Sequence, residues 1–216
     1  MQRPSVPQRW LALFAIIATW TCATAAQQST TSAVATPGAP LGSDTGHAGY
    51  TPQDVAFMSG MIHHHAQAVL IAGWAPSHGA NPSVRTLCER IVVAQRDEIA
   101  LMSRWLEDRH EAVPDISHDM MPGMAPMAMM PGMLSADQLA QLDQARGSEF
   151  DRLFLRFMIQ HHQGAITMVN ELFGSAGGGE QETVFKFASD VYADQSTEID
   201  RMQKMLASLL FEGHGQ

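Results

Sequence analysis

One helical phrase occurs twice in this chain of 216 residues. Residues 54–68 and residues 151–165 share Asp, Phe, Met, Ile, His, His and Ala at the same spacing and without a gap. A shorter phrase, Gln-x-x-Glu-Ile-x-x-Met, follows each copy at residues 95–102 and 195–202. The repeated apolar positions lie three or four residues apart, which places them on one face of a helix. The duplication therefore predicts two equivalent pairs of helices.

Clear start and stop signals bound these helices. Thr51-Pro52 and Asn81-Pro82 offer an N-cap followed by a proline at the first helical position, and Ser135 with Gln138 forms a capping box. No segment alternates in hydrophobicity with a period of two, so we expect no strands. The predicted helices run from Thr51 to about Trp74, from Asn81 to near His110, from Ser135 to about Phe173 with an interruption near Gly147, and from about Glu180 to Phe211.

Short turns within each pair predict two antiparallel helical hairpins, residues 51–110 and 135–211. Neither hairpin can bury its apolar faces alone, so the two should pack together as an all-α four-helix bundle with internal twofold symmetry. A Met-rich connection, residues 114–134, joins the hairpins and contains Met-Met-Pro-Gly-Met twice. Proline and glycine prevent a regular helix there, so its methionines do not form a core stripe. The bundle domain is expected to span residues 51–216.

The first 50 residues indicate export. Arg3 and Arg9 precede an apolar run and an Ala-x-Ala site, which predicts a signal peptide over residues 1–25. Residues 26–50, rich in Ser, Thr, Ala, Pro and Gly, are expected to be a flexible tether. The protein is thus expected to be periplasmic or secreted, without a membrane span after cleavage. A retained anchor and a lipid anchor at Cys22 are the minor alternatives.

The net charge and the number of cysteines reduce the range of partners and functions that the sequence allows. A net charge of −9 disfavours nucleic acid and anionic membranes as partners and is compatible with attracting cations. After cleavage only Cys88 would remain, in an apolar helical stripe, so we expect a buried and inert thiol. His47, His78, His110 and His214 lie at helix ends or in linkers, and we assign them no role.

The repeated phrase carries candidate metal ligands. Met61 lies one helical turn before His64 and His65, and the second copy repeats this arrangement. One histidine of each pair should face the core, and the other should point about 100° away, toward a neighbouring helix. Imidazole and thioether groups suit a soft ion, so copper is favoured, as Cu(I) over Cu(II), with zinc less favoured. The predicted ligands of the repeat are Met61, His64, His65, Met158, His161 and His162.

Two further groups complete the predicted site. In the connection, copper capture is predicted at His118, Met120, Met121 and Met124. Counting across each hairpin turn brings the second phrase level with the histidines, where its polar side chains can hydrogen-bond and orient the ligands. These orienting residues are Gln95, Glu98, Gln195 and Glu198.

The paired-histidine phrase, the Met-Pro-Gly-Met elements and the Gln-x-x-Glu-Ile phrases resemble a bacterial domain-of-unknown-function family with repeated paired-histidine helices. The resemblance covers about residues 51 to 211. It implies a ferritin-like helical bundle, an exported location and a role in copper binding or resistance. Carried over by position, the family motif falls on the six repeat ligands named above.

Three functions stay open at this point. The favoured one is a non-enzymatic exported protein that sequesters copper or delivers it, with another copper-handling protein as the candidate recipient. A di-iron oxidase is the enzymatic alternative, but it requires Glu-x-x-His pairs, and methionine holds the glutamate position before His64 and His161. The last alternative is a metal-free helical interaction module whose histidines only form hydrogen bonds.

Overall fold

The computed structural model describes residues 49–117 and 130–212, without the side chains of residues 210 and 212. Throughout these ranges the regular structure is helical, which confirms the all-α bundle with its two hairpins and its interruption at Gly147. The predicted signal peptide, nearly all of the tether and the four capture residues of the connection lie outside the described residues. The helices are α1 (Pro52–Gly73), α2 (Pro82–Glu107), α3 (Ala136–Gln144), α4 (Ser148–Gly174) and α5 (Glu182–Glu212).

The capping residues form the local structure that their types predict. Thr51 and Asp54 make a reciprocal capping box at the start of α1. The Asn81 side chain accepts hydrogen bonds from two backbone N–H groups of the first turn of α2, and Ser135 forms a second capping box with Gln138 at α3. These side chains satisfy backbone groups that a helix cannot pair internally, so the helix starts are fixed locally.

No helix within the described ranges has the length and apolar character that crossing a bilayer requires.

Helix α1 packs against α2, α4 packs against α5, and the two hairpins meet through α1 and α4. The repeated aspartate at the start of each of these two helices ties the hairpins together. Asp54 accepts a hydrogen bond of 2.7 Å from the backbone N–H of Gly179, in the α4–α5 turn. Asp151 accepts hydrogen bonds from the backbone N–H and the side-chain amide of Asn81, in the α1–α2 turn. Each hairpin therefore holds the turn of the other, as approximate twofold symmetry requires.

Replacing Asp151 with alanine is expected to lower the free energy of unfolding by about 1–3 kcal/mol, because the half-buried N–H of Asn81 loses its buried acceptor. Urea unfolding at neutral pH measures this effect. Asp190→Ala is the matched control: Asp190 pairs with Lys186 on the surface of α5, so its loss should cost less than about 1 kcal/mol. Equal effects of the two substitutions would contradict a tie between the hairpins at Asp151.

The buried apolar residues form two clusters, one toward each end of the bundle. The first apolar cluster contains Phe154 and Met158 of α4 with the C-terminal half of α1, and the second contains Phe57 and Met61 of α1 with the C-terminal half of α4. Each long helix contributes to both clusters and carries buried polar residues between them. We call this polar set the histidine layer; its members are His64, His65, Gln95, His161, His162 and Gln195.

Cys88 lies in the first apolar cluster and is 1% exposed. Burial raises the pKa of its thiol to about 12, so the thiolate that would bind a metal or react with an oxidant is absent at neutral pH. The prediction that this cysteine is buried is confirmed.

His78 is buried in the turn between α1 and α2. No role is predicted for it from the sequence. Its Nε2 lies 3.0 Å from the carbonyl oxygen of Asp143, at the end of α3, and its Nδ1 lies 3.0 Å from Ser77 Oγ. The ring also stacks on Trp74. His78 therefore fastens the short helix α3 to the first hairpin, a contact between segments that sequence spacing alone does not reveal.

Candidate metal centre

Four histidines meet where α1 and α4 cross, and the side chains of all four are completely buried. The rings of His64 and His161 are adjacent, with centroids 3.9 Å apart and planes inclined by 41°. Within each pair the ring centroids are farther apart, 6.4 Å for His64 and His65 and 6.3 Å for His161 and His162. The inner histidines of the two repeats therefore face each other, and the outer ones point elsewhere, as the helical spacing predicts.

The outer histidines contact glutamates of the neighbouring helix in their own hairpin. His162 Nε2 lies 2.7 Å from Glu198 Oε2 in a hydrogen bond, and His65 Nε2 lies 2.9 Å from Glu98 Oε2. The second contact has hydrogen-bonding distance but an unfavourable direction, so His65 Nε2 is not satisfied by it. The glutamates are each 23% exposed and thus link the buried rings to the bundle surface.

The glutamines of the second phrase contribute differently from the glutamates. Gln95 and Gln195 are each 3% exposed, and their carbonyl oxygens lack hydrogen-bond partners in the described part of the chain. Glu98 and Glu198 are therefore the two predicted orienting residues that contact a histidine ring. Each lies one helical turn beyond the glutamine of its phrase.

Several ring nitrogens in the histidine layer have no partner. Nδ1 of each of the four histidines is buried without a hydrogen bond to any described residue, and so is Nε2 of both His65 and His161. Buried polar atoms are paired in nearly all native structures, so a cluster of unpaired ones requires an explanation such as a bound ion or water. Neutral imidazole nitrogens that carry a free lone pair are the atoms that bind metals.

The protonation state of the inner pair favours metal binding. Burial lowers the pKa of His64 to about 3, and the neighbouring ring of His65 adds to the effect. Burial and the rings of His64 and His162 likewise hold the pKa of His161 well below its ordinary value. Both inner rings are therefore neutral at physiological pH, with lone pairs available to an ion.

The repeated methionines lie on either side of the histidine layer. Met61 and Met102 belong to the second apolar cluster, Met158 and Met202 to the first, and all four are fully buried. Within the described ranges, no three side chains of His, Cys, Asp or Glu lie together in a way that could hold a metal. An ion bound by the inner histidines must therefore obtain further protein ligands from thioethers, or rearrange the carboxylates.

The end of the Met-rich connection also reaches the layer. We call residues 130–134 the strap. The Pro131 carbonyl oxygen accepts a hydrogen bond of 3.0 Å from His64 Nε2, and the side-chain amide of Gln67 pairs with both backbone groups of Leu134. The sequence pattern does not predict these contacts, because it favours ligands nearer the beginning of the connection, at residues 118–124.

Comparisons with known proteins show the family to which the chain belongs. The family model for the domain of unknown function DUF305 matches residues 54–206, and the chain belongs to this family. The match begins at the repeated Asp54 and includes both paired-histidine phrases, so the resemblance noted from these motifs is confirmed.

Three similar proteins illustrate how far the likeness to known proteins extends. A DUF305 fragment from Deinococcus radiodurans is 30% identical with a TM-score of 0.62, covering 74% of this chain and 98% of that one. CopM in its Cu(II)-bound form is 29% identical with a TM-score of 0.57, covering 72% of this chain and 96% of that one. An uncharacterized protein of Acanthamoeba polyphaga mimivirus is 30% identical over 56 residues, which span 26% of this chain and only 37% of that protein.

Proposed function

We propose that this protein is an exported copper-binding protein that sequesters or delivers copper ions and so contributes to copper tolerance. The ion is held as Cu(I) by His64 and His161, with sulfur ligands from Met61 and Met158. His65 and His162 complete the set of imidazoles around it. Glu198 orients the ring of His162 by accepting a hydrogen bond from its Nε2, and Glu98, 2.9 Å from Nε2 of His65, helps to position that ring.

The observation that carries the proposal is the group of buried ring nitrogens without hydrogen-bond partners in the described residues. A histidine that serves only the fold is normally paired through its ring nitrogens, as His78 is in this protein. His161, in contrast, has no partner at either nitrogen although it lies in the middle of the bundle. A metal-free interaction module gives no reason for this difference, whereas an ion satisfies the free lone pairs.

The choice of metal follows from the available donors. Zinc in proteins takes three or four His, Cys, Asp or Glu ligands, and no such set of three is assembled in the described ranges. A di-iron centre requires still more inward carboxylates. Cu(I) and Ag(I) accept imidazole together with thioether sulfur, and buried methionines lie on both sides of the histidine layer.

The relatives support the same ion. CopM has been crystallised in Cu(II)-bound, Cu(I)-bound and Ag-bound forms. We extend copper binding to this chain because the repeat ligands are present in both of its copies. Capture by His118, Met120, Met121 and Met124, upstream of the strap, and export through residues 1–25 belong to the proposal on sequence grounds.

Ag(I), a redox-stable substitute for Cu(I), is expected to remain bound to the purified protein through dialysis and to raise its melting temperature. An ion that binds only the folded state stabilises it by about 2.7 kcal/mol when its free concentration is 100 times the dissociation constant. Differential scanning calorimetry and metal analysis after dialysis against a weak chelator measure the two effects. Zn(II) at the same free concentration serves as the comparison and should stabilise less. An unchanged melting temperature with no retained Ag(I) would refute copper binding.

A further inference from the structure

The two inner histidines occupy equivalent positions in the repeat, yet their hydrogen bonding differs. His64 donates Nε2–H to the Pro131 carbonyl oxygen, since a carbonyl oxygen can only accept. His161 has no hydrogen bond at either ring nitrogen within the described ranges. The strap forms a hydrogen bond with only one of the two inner rings, and it therefore makes two sequence-equivalent rings chemically different.

Close backbone contact seats the strap on α4. A β-carbon on Gly164 would lie 1.9 Å from the Pro131 oxygen, and one on Gly132 would lie 2.6 Å from the backbone oxygen of Gln160. Gly132 also has a φ of +76°, in the region that favours glycine. Both positions therefore need a residue without a side chain, and the Pro131–Gly132 peptide lies directly on the helix backbone.

Polar and apolar contacts hold the strap at both ends. The Gln67 amide accepts from the Leu134 N–H at 2.7 Å and donates to the Leu134 carbonyl at 3.2 Å. Gln160 donates to the Gly132 carbonyl at 3.3 Å. Met130 packs against the second apolar cluster, and Leu134 is fully buried in the first. The strap is thus a fixed part of the bundle.

Sequence differences between the two copies of the repeat occur at positions that contact the strap. Its two copies keep the aspartate, the phenylalanine, the methionine and the paired histidines, but they differ at three positions of one helical face. From these positions Gln67, Gln160 and Gly164 contact the strap, and a β-carbon on Gly60 would lie 3.5 Å from the Met130 sulfur. The copies differ at eight positions in all, and three successive pairs on this face are Gly60 and Phe157, His63 and Gln160, and Gln67 and Gly164.

We propose that the strap selects the metal-binding atom of His64. By accepting the Nε2–H hydrogen bond, the Pro131 carbonyl fixes the tautomer in which Nδ1, buried and unpaired, carries the lone pair offered to the ion. Pro131 and Gly164 are thus positioning residues for the ligand His64. The identity of His64 as a ligand rests on the proposed function, whereas the control of its tautomer does not.

The test compares Gly164→Ala with Gly174→Ala in full-length protein labelled with ¹⁵N-histidine. A β-carbon on Gly174, at the end of the same helix, would meet no atom within 4 Å, so it is the matched control. Long-range ¹H–¹⁵N spectra of the metal-free proteins report the tautomer of His64, assigned with His64→Gln. We expect Nε2–H in the wild type and in Gly174→Ala, and a mixture of both tautomers in Gly164→Ala. Gln67→Ala, which releases Leu134, provides a second variant should Gly164→Ala fail to fold.

Addition of Ag(I) then distinguishes the two proposals. In the wild type the His64 Nδ1 resonance should shift, and in Gly164→Ala the ion should dissociate about 10-fold faster, as expected when a group that orients a ligand is lost. A wild-type proton on Nδ1, or Gly164→Ala and Gln67→Ala spectra that match the control, would overturn the role of the strap. Should the wild type show the expected tautomer but retain no Ag(I), the proposed function fails while the strap's control of the tautomer stands.

Discussion

Replacing His161 with leucine is expected to stabilise the metal-free protein while removing most of its affinity for Ag(I) and Cu(I). His161 is completely buried, and both of its ring nitrogens lack partners in the described residues. An unsatisfied buried polar group costs about 1–3 kcal/mol, and leucine has a similar volume without polar atoms. The free energy of unfolding should therefore rise by about 1 kcal/mol or more in the absence of metal. Loss of a ligand should weaken Ag(I) binding by about 100-fold or more, the upper range found when only a supporting partner is lost.

His78→Leu is the matched control for this prediction. His78 is buried to a similar degree, but its ring nitrogens have partners in Ser77 and Asp143. The control should lose about 1–3 kcal/mol of stability, because it leaves those partners unpaired, and it should keep its Ag(I) affinity. Urea unfolding and isothermal titration of Ag(I) measure the two properties. A destabilised His161→Leu protein with unchanged Ag(I) affinity would show that His161 serves the fold.

The second large effect expected is a loss of stability on acidification. The folded protein holds the pKa of His64 at about 3 and that of His161 well below its ordinary value, mainly because both rings are buried. In the unfolded chain both groups return to a pKa of about 6.5 and bind protons that the folded state excludes. These two groups therefore have little effect on stability well above pH 6.5, and they destabilise the folded state increasingly as the pH falls toward the folded-state pKa. His64 should cost about 2 kcal/mol between about pH 6.5 and pH 5, and His161 should add to this loss.

Urea unfolding at a series of pH values between about 5 and 7 measures this slope. His161→Leu removes one of the two groups and should lower the slope, by no more than the roughly 1.4 kcal/mol per pH unit that one titrating group contributes. His110→Gln, which replaces an exposed histidine, provides the control and should keep the wild-type slope. Identical slopes in wild type and His161→Leu would mean that His161 is protonated in the folded state.

Much of the fold could be predicted from local signals. The capping residues Thr51, Asn81 and Ser135 start their helices where their side chains pair with the backbone, and this pairing depends on neighbours in sequence. The apolar spacing then defines the face that each helix buries. It also predicts correctly that His64 and His161 face the core and that their neighbours face the adjoining helix.

The supporting contacts of the site were predicted less completely. Counting across the hairpin turns brought Glu98 and Glu198 near the histidines, but it did not give which nitrogen each contacts. The strap was missed because the proline–glycine pattern of the connection only excludes a helix and gives no position in space. Differences between the repeats at Gln67 and Gly164 were the available signal, and they become interpretable once the strap is seen between them.

The sequence is sufficient to predict the helices, the buried face of each, and the imidazole and thioether groups on those faces. These properties depend on residue type and on spacing within one turn of a helix. The tertiary structure is needed for the remaining features of the site. It places the inner rings 3.9 Å apart and leaves their lone pairs without partners within the described ranges. It also shows that one carbonyl group distinguishes His64 from His161. Those features arise where segments distant in sequence meet. The packing of the whole bundle sets where α1 and α4 cross and where the strap lies.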